Sequence, residues 1–175
     1  MLFRSVVKSS DVFYNDENKE LILKQIKEVM KDEAPVSRSL LCKRILSSWS
    51  ISRLGQKLDS YLDMLLSESG YFKTNSENLT FYWLDEQQYR QYNIYRTGSG
   101  REATDLPPEE VANAVRHILE NEISIPVNDL SKICAQKFGF LRSGTNVDAA
   151  MLRGIEVAIN KGLVKTENGR VVING

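Results

Sequence analysis

The sequence predicts an α+β protein, mainly helical, in which one small domain occurs twice. The first observation is a repeated heptapeptide: "RLGQKLD" at 53–59 and "RSGTNVD" at 142–148 share arginine, glycine and aspartate, 89 positions apart. The second observation is that "GYFKT" at 70–74 is matched by "GLVKT" at 162–166, 92 positions later. The third is that helical apolar patterns precede and hairpin patterns follow each copy.

In the first copy, apolar residues recur with helical spacing in three segments. Pro35 separates the first two because it disfavours helical geometry at Ala34, and Ser37 can cap the next helix. "SISRLG" at 50–55 forms the second break, and Gly70 fits the position after the third helix. The predicted core residues are Leu21, Ile22, Ile26, Val29 and Met30, then Leu40, Leu41, Ile45 and Trp49, then Leu58, Tyr61, Leu62, Leu65 and Leu66.

The second copy begins at "DLPPEE", where two prolines precede Glu109 and Glu110 in what should be a first helical turn. The helix dipole then explains this acidic pair. Because the repeat spacing grows from 89 to 92, we expect three more residues in the third helix. The predicted core residues are Val111, Ala114, Val115, Ile118 and Leu119, then Leu130, Ile133, Cys134 and Phe138, then Val147, Met151, Leu152, Ile155, Ala158 and Ile159.

Each copy ends in a predicted hairpin. "YFKT" and "LTFYWL" flank "NSEN", and "LVKT" and "RVVI" flank a turn containing Asn168-Gly169, a strong hairpin-turn signal. Three helices followed by a two-stranded hairpin is the winged-helix (helix-turn-helix) arrangement. The sequence therefore predicts an N-terminal extension (1–16), two tandem winged-helix domains (17–84 and 108–175) and a linker (85–107). In the linker, 98–105 is predicted to be a flexible loop, and the aromatic residues of 81–95 are predicted to seal the interface between the domains.

The repeated residues at the turn each receive a local interpretation. The glycines, Gly55 and Gly144, are expected to provide backbone angles that other residues tolerate poorly. Thr145 and Asp148 resemble a capping box. The arginines, Arg53 and Arg142, lie outside the apolar stripes and are not needed for the core.

The composition limits the class of function. Hydrophobic residues make up 42% of the chain and charged residues 26%, as in ordinary globular proteins. Lys plus Arg and Asp plus Glu are both 23, and this balance counts against a strong nonspecific nucleic-acid binder. No apolar stretch approaches the roughly 20 residues that cross a bilayer. With only two cysteines, a cytoplasmic protein is the simplest expectation.

Catalytic and metal sites are not indicated. His117 is the only histidine, lies off the apolar stripe and has no predicted nucleophile or acid partner. Cys42 and Cys134 lack metal-ligand spacing and are interpreted as core residues. "GSGRE" at 98–102 is not a phosphate-binding loop because it lacks the required lysine and hydroxyl residue. We therefore expect neither enzyme activity nor a cofactor.

Around "EAPVSRSLLCKRI" and "SRLGQKLDSYLDMLLSESGYFK" the chain resembles an uncharacterised bacterial domain. That family lies near the C-terminal ends of very large superfamily I helicase-related proteins, some of which also carry nuclease-like domains. Glu33-Ala34-Pro35, Arg53 and Gly55 match its pattern in the first copy, and Pro126, Arg142 and Gly144 match it in the second. The resemblance implies a context of DNA or RNA processing and a helicase- or nuclease-like partner, without catalytic residues.

The turn before each third helix is the candidate nucleic-acid-binding site. In winged-helix DNA binders, helix three enters the major groove and nearby basic residues hold phosphates. A solvated helix face with structural arginines is an equally open interpretation of these residues. The leading expectation for function is a nucleic-acid-binding accessory module, and the alternative is a protein-interaction module without nucleic-acid binding. The candidate binding residues are Arg53, Gln56 and Lys57, with Arg142, Thr145 and Asn146 as counterparts, surrounded by Lys43, Arg44, Lys73, Lys132, Lys165 and Arg170.

Overall fold

A computed structural model of the chain describes residues 10–98 and 100–174, which form a mixed, mainly helical α+β structure. Contacts within the chain divide it into two units, Met1–Arg90 and Gln91–Gly175. We call them unit 1 and unit 2. The division falls inside the predicted linker, and residues 1–9 of the predicted extension lie outside the described residues. None of the helices in the described ranges is long and apolar enough to cross a membrane.

Unit 1 consists of helices joined to a small antiparallel sheet. Its elements are α1 (Ser10–Phe13), α2 (Asp16–Glu33), β1 (Val36–Ser37), α3 (Arg38–Ser48), α4 (Gln56–Glu68), β2 (Phe72–Ser76), β3 (Leu79–Trp83) and α5 (Glu86–Gln91). The strand order is β1-β3-β2, with Val36 opposite Tyr82 and Phe72 opposite Trp83. Ser37 Oγ accepts a hydrogen bond from the backbone N–H of Leu40 at 3.0 Å, which confirms the predicted cap of α3.

Unit 2 repeats this order. Its elements are a 3₁₀ helix (Ala103–Asp105), α6 (Pro108–Leu119), β4 (Ile125–Pro126), α7 (Val127–Lys137), α8 (Thr145–Asn160), β5 (Val164–Glu167) and β6 (Arg170–Ile173), with strand order β4-β6-β5. α8 has 16 residues and α4 has 13, so the predicted three-residue insertion is confirmed. Asn168 (φ 50°) and Gly169 (φ 74°) form the predicted hairpin turn, in which both residues adopt positive φ.

Strands β1 and β4 were not predicted, because two residues are too short to show alternation. Their pairing also corrects the match between the two copies. Ser37 lies opposite Phe81, and Pro126 lies opposite Arg170, 89 positions later. Pro126 therefore occupies the place of Ser37, and the predicted match of Pro126 to Pro35 is wrong.

The core of unit 1 combines the predicted leucine and isoleucine positions with an aromatic cluster. The Phe13 ring meets Trp49 edge-on, with ring centroids 5.1 Å apart, and Tyr61 at 6.0 Å. The Trp49 indole N–H donates to Gln25 Oε1 at 2.8 Å, so the polar atom of this buried ring is satisfied. Leu21, predicted to be in the core, is exposed instead.

The core of unit 2 depends on close approach between α6 and α8. A Cβ on Gly154 would lie 2.2 Å from Val111 Cγ1, so only glycine fits at this crossing. Ala150 and Ala158, one turn to either side, are also buried. Since these small residues form the core face, Leu152 and Ile159 are turned to solvent, and their predicted core positions are wrong.

The aromatic residues near the chain midpoint pack on their own units. Trp83 is buried and lies edge-on to Tyr89, with centroids 5.1 Å apart, in unit 1. Tyr95 lies 6.0 Å from Phe138 in unit 2. These ring contacts lie within single units, and the interface role that the sequence suggested stays a prediction.

Candidate interaction surface at the duplicated turn

The turn that follows α3 in unit 1 and the turn that follows α7 in unit 2 have the same backbone hydrogen bonds. In unit 1 the N–H of Ile51 donates to the carbonyl of Leu46 at 3.0 Å, and that of Ser50 donates to Ser47 at 3.1 Å. In unit 2 Phe140 donates to Ala135 at 2.9 Å, and Gly139 donates to Gln136 at 3.0 Å, all 89 positions later. This paired pattern is the Schellman motif, which satisfies the last carbonyls of a helix.

The motif requires positive φ at its turning residue. That residue is Ser50 in unit 1, with φ 57°, and Gly139 in unit 2, with φ 90°. Glycine adopts this conformation without a steric penalty, whereas serine does not. The two turns therefore share one geometry but differ in the strain that they carry.

The repeated glycines have a different role from the predicted one. Gly55 (φ −79°, ψ 162°) and Gly144 (φ −170°, ψ 160°) are extended, a conformation open to any residue. A Cβ on either would meet no described atom within 4 Å. They are the N-cap residues, whose carbonyls accept from Asp59 and Asp148, both at 2.9 Å. The predicted Thr145–Asp148 capping box is wrong, since Thr145 is already inside α8.

All six predicted binding residues are exposed, and each lies just before α4 or α8 or in the first turn of that helix. They are Arg53, Gln56, Lys57, Arg142, Thr145 and Asn146. Within residues 10–98 and 100–174, no ion pair involves either arginine. The Lys57 ammonium lies 4.2 Å from the centroid of the Tyr14 ring, a cation–π contact. Within each unit, three predicted residues therefore lie on one exposed turn.

The rest of α4 is acidic. Asp59 and Asp63 on this helix each bind the Arg38 guanidinium, at 2.6 and 2.7 Å. Burial acts to lower the pKa of Arg38, but the hydrogen bonds to the two carboxylates outweigh it and raise that pKa. Further along, Glu68 binds the Lys19 ammonium at 2.8 Å. Near α4, the basic residues without an ion pair to any described residue are therefore Arg53, just before the helix, and Lys57, in its first turn.

A groove lies beside the turn in each unit. It is formed by α3 and the chain leading into α4 in unit 1, and by α7 and the chain leading into α8 in unit 2. Groove 1, of about 380 Å³, is lined by Ser39, Cys42, Lys43, Leu46, Ser47, Ile51, Ser52 and Leu54. Groove 2, of about 180 Å³, is lined by Lys132, Ala135, Gln136, Phe140, Leu141, Ser143 and Asp148. Six positions of groove 1 recur in groove 2 at a spacing of 89, so the groove is duplicated with the turn.

The surrounding basic residues differ in their contacts. Arg44 binds Glu33 at 2.9 Å, Lys165 binds Glu167 at 2.9 Å, and Arg170 donates to Ser124 Oγ at 2.7 Å. These three are engaged within their own units. Lys43 and Lys132 line the grooves, and the Lys132 ammonium also lies 3.9 Å from Asp129. Lys73 is exposed on β2.

Unit 2 contains a buried cluster of charges that the sequence did not predict. The Glu110 carboxylate is 0% exposed and binds two guanidiniums, Arg96 at 2.7 Å and Arg101 at 2.6 Å. It also accepts from the backbone N–H of Arg96 at 2.7 Å. Burial acts to raise the pKa of Glu110, but the two arginines outweigh burial and lower it. The helix dipole therefore does not account for this residue, which was predicted to form a simple acidic first turn.

The same cluster corrects the predicted flexible loop at 98–105, of which Ser99 lies outside the described residues. The Arg101 side chain is 7% exposed and also donates to the Arg96 carbonyl at 3.1 Å. Ala103 and Leu106 are buried in the unit 2 core. From Arg101 onward, the segment is packed against its unit. The sequence feature that could have indicated this cluster is the pair Arg96 and Arg101, which shortly precedes a helix with two glutamates in its first turn.

The other candidate reactive residues have ordinary surroundings. His117 is exposed, with Nδ1 3.6 Å from a carboxylate oxygen of Glu120. Burial raises the pKa of the Cys42 thiol to about 11 and that of the Cys134 thiol to about 12, so both are protonated at neutral pH. Among the described residues, no group of three or more His, Cys, Asp or Glu side chains could hold a metal ion.

The chain is thus a mixed α+β protein with two similarly ordered units and a duplicated exposed turn. A family model described as "Protein of unknown function (DUF3320)" matches residues 11–60. The match covers α2, β1, α3 and the first residues of α4, and it therefore includes Arg53, Gln56 and Lys57. Comparisons with curated proteins and with solved structures gave no significant match.

Proposed function

We propose that the chain is a non-catalytic accessory module built from two winged-helix domains that bind nucleic acid. The helix–strand–helix–helix–strand–strand order of each unit supports the fold assignment. The strand orders β1-β3-β2 and β4-β6-β5 also support it, since both place the first short strand beside the last. A helix pair of this kind is a common scaffold for contacting nucleic acid.

One observation carries the nucleic-acid proposal. Both units present an arginine on an exposed turn two residues before the N-cap of a third helix, and neither arginine has an ion-pair partner among the described residues. A helix N-terminus adds partial positive charge and free N–H groups at the same place. Arg53 and Arg142 are therefore arranged to hold phosphate oxygens.

The acidic side chains of α4 limit the ways in which the module could contact nucleic acid. Asp59 and Asp63 place two carboxylates along α4, and carboxylates repel the phosphates of a major groove that the helix would enter along its length. Contact through the turn alone avoids this repulsion. We therefore propose that the module binds the sugar–phosphate backbone, with little sequence preference and with micromolar or weaker affinity, the order expected for nonspecific association.

The proposed setting is a larger machine with helicase- or nuclease-like activity. Its support is the sequence resemblance around Glu33-Ala34-Pro35 and Arg53-x-Gly55. A module that holds nucleic acid weakly would contribute to such a machine by keeping the strand near the active domains. Catalysis itself is assigned to the partner polypeptide.

Binding across a salt series tests the proposal. Fluorescence anisotropy with labelled single- and double-stranded oligonucleotides should show affinity that falls as salt rises. Arg53→Ala combined with Arg142→Ala should weaken binding and reduce the log–log salt slope on duplex DNA by about 0.9 for each phosphate that the protein no longer neutralises. The matched control is Lys24→Ala with Lys161→Ala, which removes two charges away from the turns.

Melting temperatures separate a binding role from a structural one. If the arginines act on phosphates, the double variant should melt within about 1 °C of the wild type, since exposed side chains contribute little to stability. No binding by the wild type at low salt would refute the proposal for this chain. A melting temperature several degrees lower would assign the arginines a structural role instead.

A protein-interaction role is the second candidate. Groove 1 favours it, because four of its eight lining residues are aliphatic or carry a thiol, which a surface that binds only phosphate does not need.

A further inference from the structure

Groove 1 has an aliphatic floor and one charged residue at its rim. Cys42 and Leu46 are buried beneath it, Ile51 forms a half-buried wall, and Leu54 is 41% exposed at its edge. Lys43 is the one charged residue in its lining, and no described ion pair involves it. A concave aliphatic surface beside a single free ammonium matches a ligand that places an apolar group next to a negative charge.

Groove 2 provides an internal comparison. It occupies the equivalent place in unit 2 but has about half the volume, 180 against 380 Å³. Asp148 lies in its lining together with Lys132, so its charge is balanced, and the Lys132 ammonium is 3.9 Å from Asp129. Ala135 and Phe140 replace Leu46 and Ile51. The duplication has kept the groove but has kept its positive character only in unit 1.

We propose that groove 1 is a docking site for a peptide segment that presents a leucine- or isoleucine-like side chain next to an aspartate or glutamate. The aliphatic side chain would lie on Leu46 and Ile51, and the carboxylate would bind the Lys43 ammonium. Apolar contact supplies affinity for such a segment, whereas the charge pair fixes which segments are accepted.

The lining argues for a peptide over a nucleobase. Bases bound in single strands are usually held by stacking on aromatic rings. None of the residues that line groove 1 is aromatic, whereas four of them are aliphatic or carry a thiol. Aliphatic side chains pack well on surfaces of this kind. The groove therefore differs in chemistry from the phosphate-binding turn beside it, and it does not depend on the nucleic-acid proposal.

Selection from a random peptide library displayed on phage tests the docking site. The wild-type protein should enrich peptides in which an acidic residue neighbours a leucine or isoleucine. Lys43→Glu, with the same fold, should lose this enrichment. Lys132→Glu makes the matched change in groove 2, and it should select the same peptides as the wild type.

Affinities of one selected peptide, synthesised with a fluorescent label, then locate the site. Lys43→Glu should weaken binding about tenfold or more, since the charge pair is replaced by repulsion. Leu54→Asp alters an exposed side chain at the edge and should weaken binding without loss of fold. The matched change at the exposed leucine of groove 2, Leu141→Asp at a 93% exposed position, should change the affinity less than about twofold.

Several results would overturn the proposal. These are no enrichment, enrichment of basic or aromatic peptides, and loss of binding in the groove 2 variants instead of the groove 1 variants. Displacement of the peptide by an oligothymidylate, with equal sensitivity of both ligands to Lys43→Glu, would assign the groove to nucleic acid. The variant Arg53→Ala with Arg142→Ala tests the phosphate-binding turn separately, so either proposal can fail alone.

Discussion

Helix α4 of unit 1 and helix α8 of unit 2 begin alike and pack differently. Both start at a glycine N-cap and end before a glycine of positive φ, Gly70 at 69° and Gly162 at 68°. At four, eight and twelve positions before these glycines, the buried residues are leucines in unit 1 and small residues in unit 2. They are Leu58, Leu62 and Leu66 in α4, and Ala150, Gly154 and Ala158 in α8.

The difference shows that one element order can be held by two packing arrangements. In unit 2 the small residues let α8 approach α6 closely, and α6 provides the volume through Val111, Val115 and Leu119. In unit 1 the three leucines of α4 belong to one buried cluster with large residues of α2, such as Ile26 and Met30. A close-packed interior can therefore be built with large residues on both helices, as in unit 1, or with small residues at one helix crossing, as in unit 2.

The units also differ in how the chain before the first helix is held. Unit 1 uses Phe13, buried against Trp49 and Tyr61. Unit 2 uses the Glu110 carboxylate, which binds Arg96 and Arg101. An apolar anchor depends weakly on pH, whereas a buried carboxylate depends on its protonation state.

The largest effect is expected when Gly154 of α8 is replaced by leucine, the residue found at the equivalent position of α4, Leu62. Gly154→Leu forces a side chain into the space occupied by Val111, and we expect a loss of more than about 4 kcal/mol in the stability of unit 2. Far-UV circular dichroism should show this loss. Both tryptophans of the sequence lie in unit 1, so indole fluorescence should report a nearly unchanged transition.

The control is Leu152→Ala, on the exposed face of α8, which should change stability by about 0.5 kcal/mol or less. Wild-type stability of Gly154→Leu would show that α6 and α8 can separate without cost. A matching shift of the tryptophan transition would show that the two units unfold together.

Removing the buried charge of unit 2 should have the next largest effect. Glu110→Gln leaves the Arg101 guanidinium buried without its carboxylate, and we expect a loss of about 3 kcal/mol. Urea denaturation followed by circular dichroism measures it. Glu120→Gln changes an exposed carboxylate at the C-terminal end of the same helix and should cost about 0.5 kcal/mol or less. Equal stability of the two variants would contradict a structural role for the cluster.

Acid should weaken the same anchor. The pKa of Glu110 is lowered in the folded state, so its contribution is complete above the unfolded-state value of about 4.3 and is lost as the pH falls through the folded-state value. The stability difference between wild type and Glu110→Gln should therefore shrink steadily below about pH 4.3. A difference that stayed constant on acidification, or that grew, would be inconsistent with this direction.

The smallest expected effect concerns the turning residue of the duplicated turn. Ser50→Gly should stabilise unit 1 by about 0.5 kcal/mol, because the relief of positive-φ strain exceeds the entropy cost of glycine. Gly139→Ser should destabilise unit 2 by about 1 kcal/mol for the reverse reason. Tryptophan fluorescence measures the first change and circular dichroism the second. Effects of the same sign would mean that the two turns are not equivalent.

Much of the helical structure could be predicted from apolar spacing and breaks. The repeat spacing predicted the longer α8, and Asn168-Gly169 predicted a turn with two positive φ angles. Leu152 and Ile159 were misplaced because the spacing rule favours large apolar residues, whereas Gly154 and its alanine neighbours form the true core face. A rule based on hydrophobicity gives glycine no weight at a close helix crossing.

The candidate site was predicted in position but not in detail. The repeated arginine and glycine located the turn, yet the positive φ lies at Ser50 and Gly139, which do not match in sequence. Glu110 was missed because an acidic first turn already has a local explanation, and its partners Arg96 and Arg101 are brought to it by tertiary structure. The grooves were not predicted because they occupy equivalent positions in the two units but are lined mostly by different residue types.

The lysine of the repeated Gly-x-x-Lys-Thr segment acquires a meaning from its place in the sheets. Lys73 on β2 and Lys165 on β5 lie on strands at the edge of their sheets, each paired on one side only among the described residues. Such an edge can pair with the edge of another molecule and start aggregation, and a charged side chain on it opposes that pairing. The sequence repeat thus protects both copies from the same hazard, strand-to-strand association between molecules in a crowded solution.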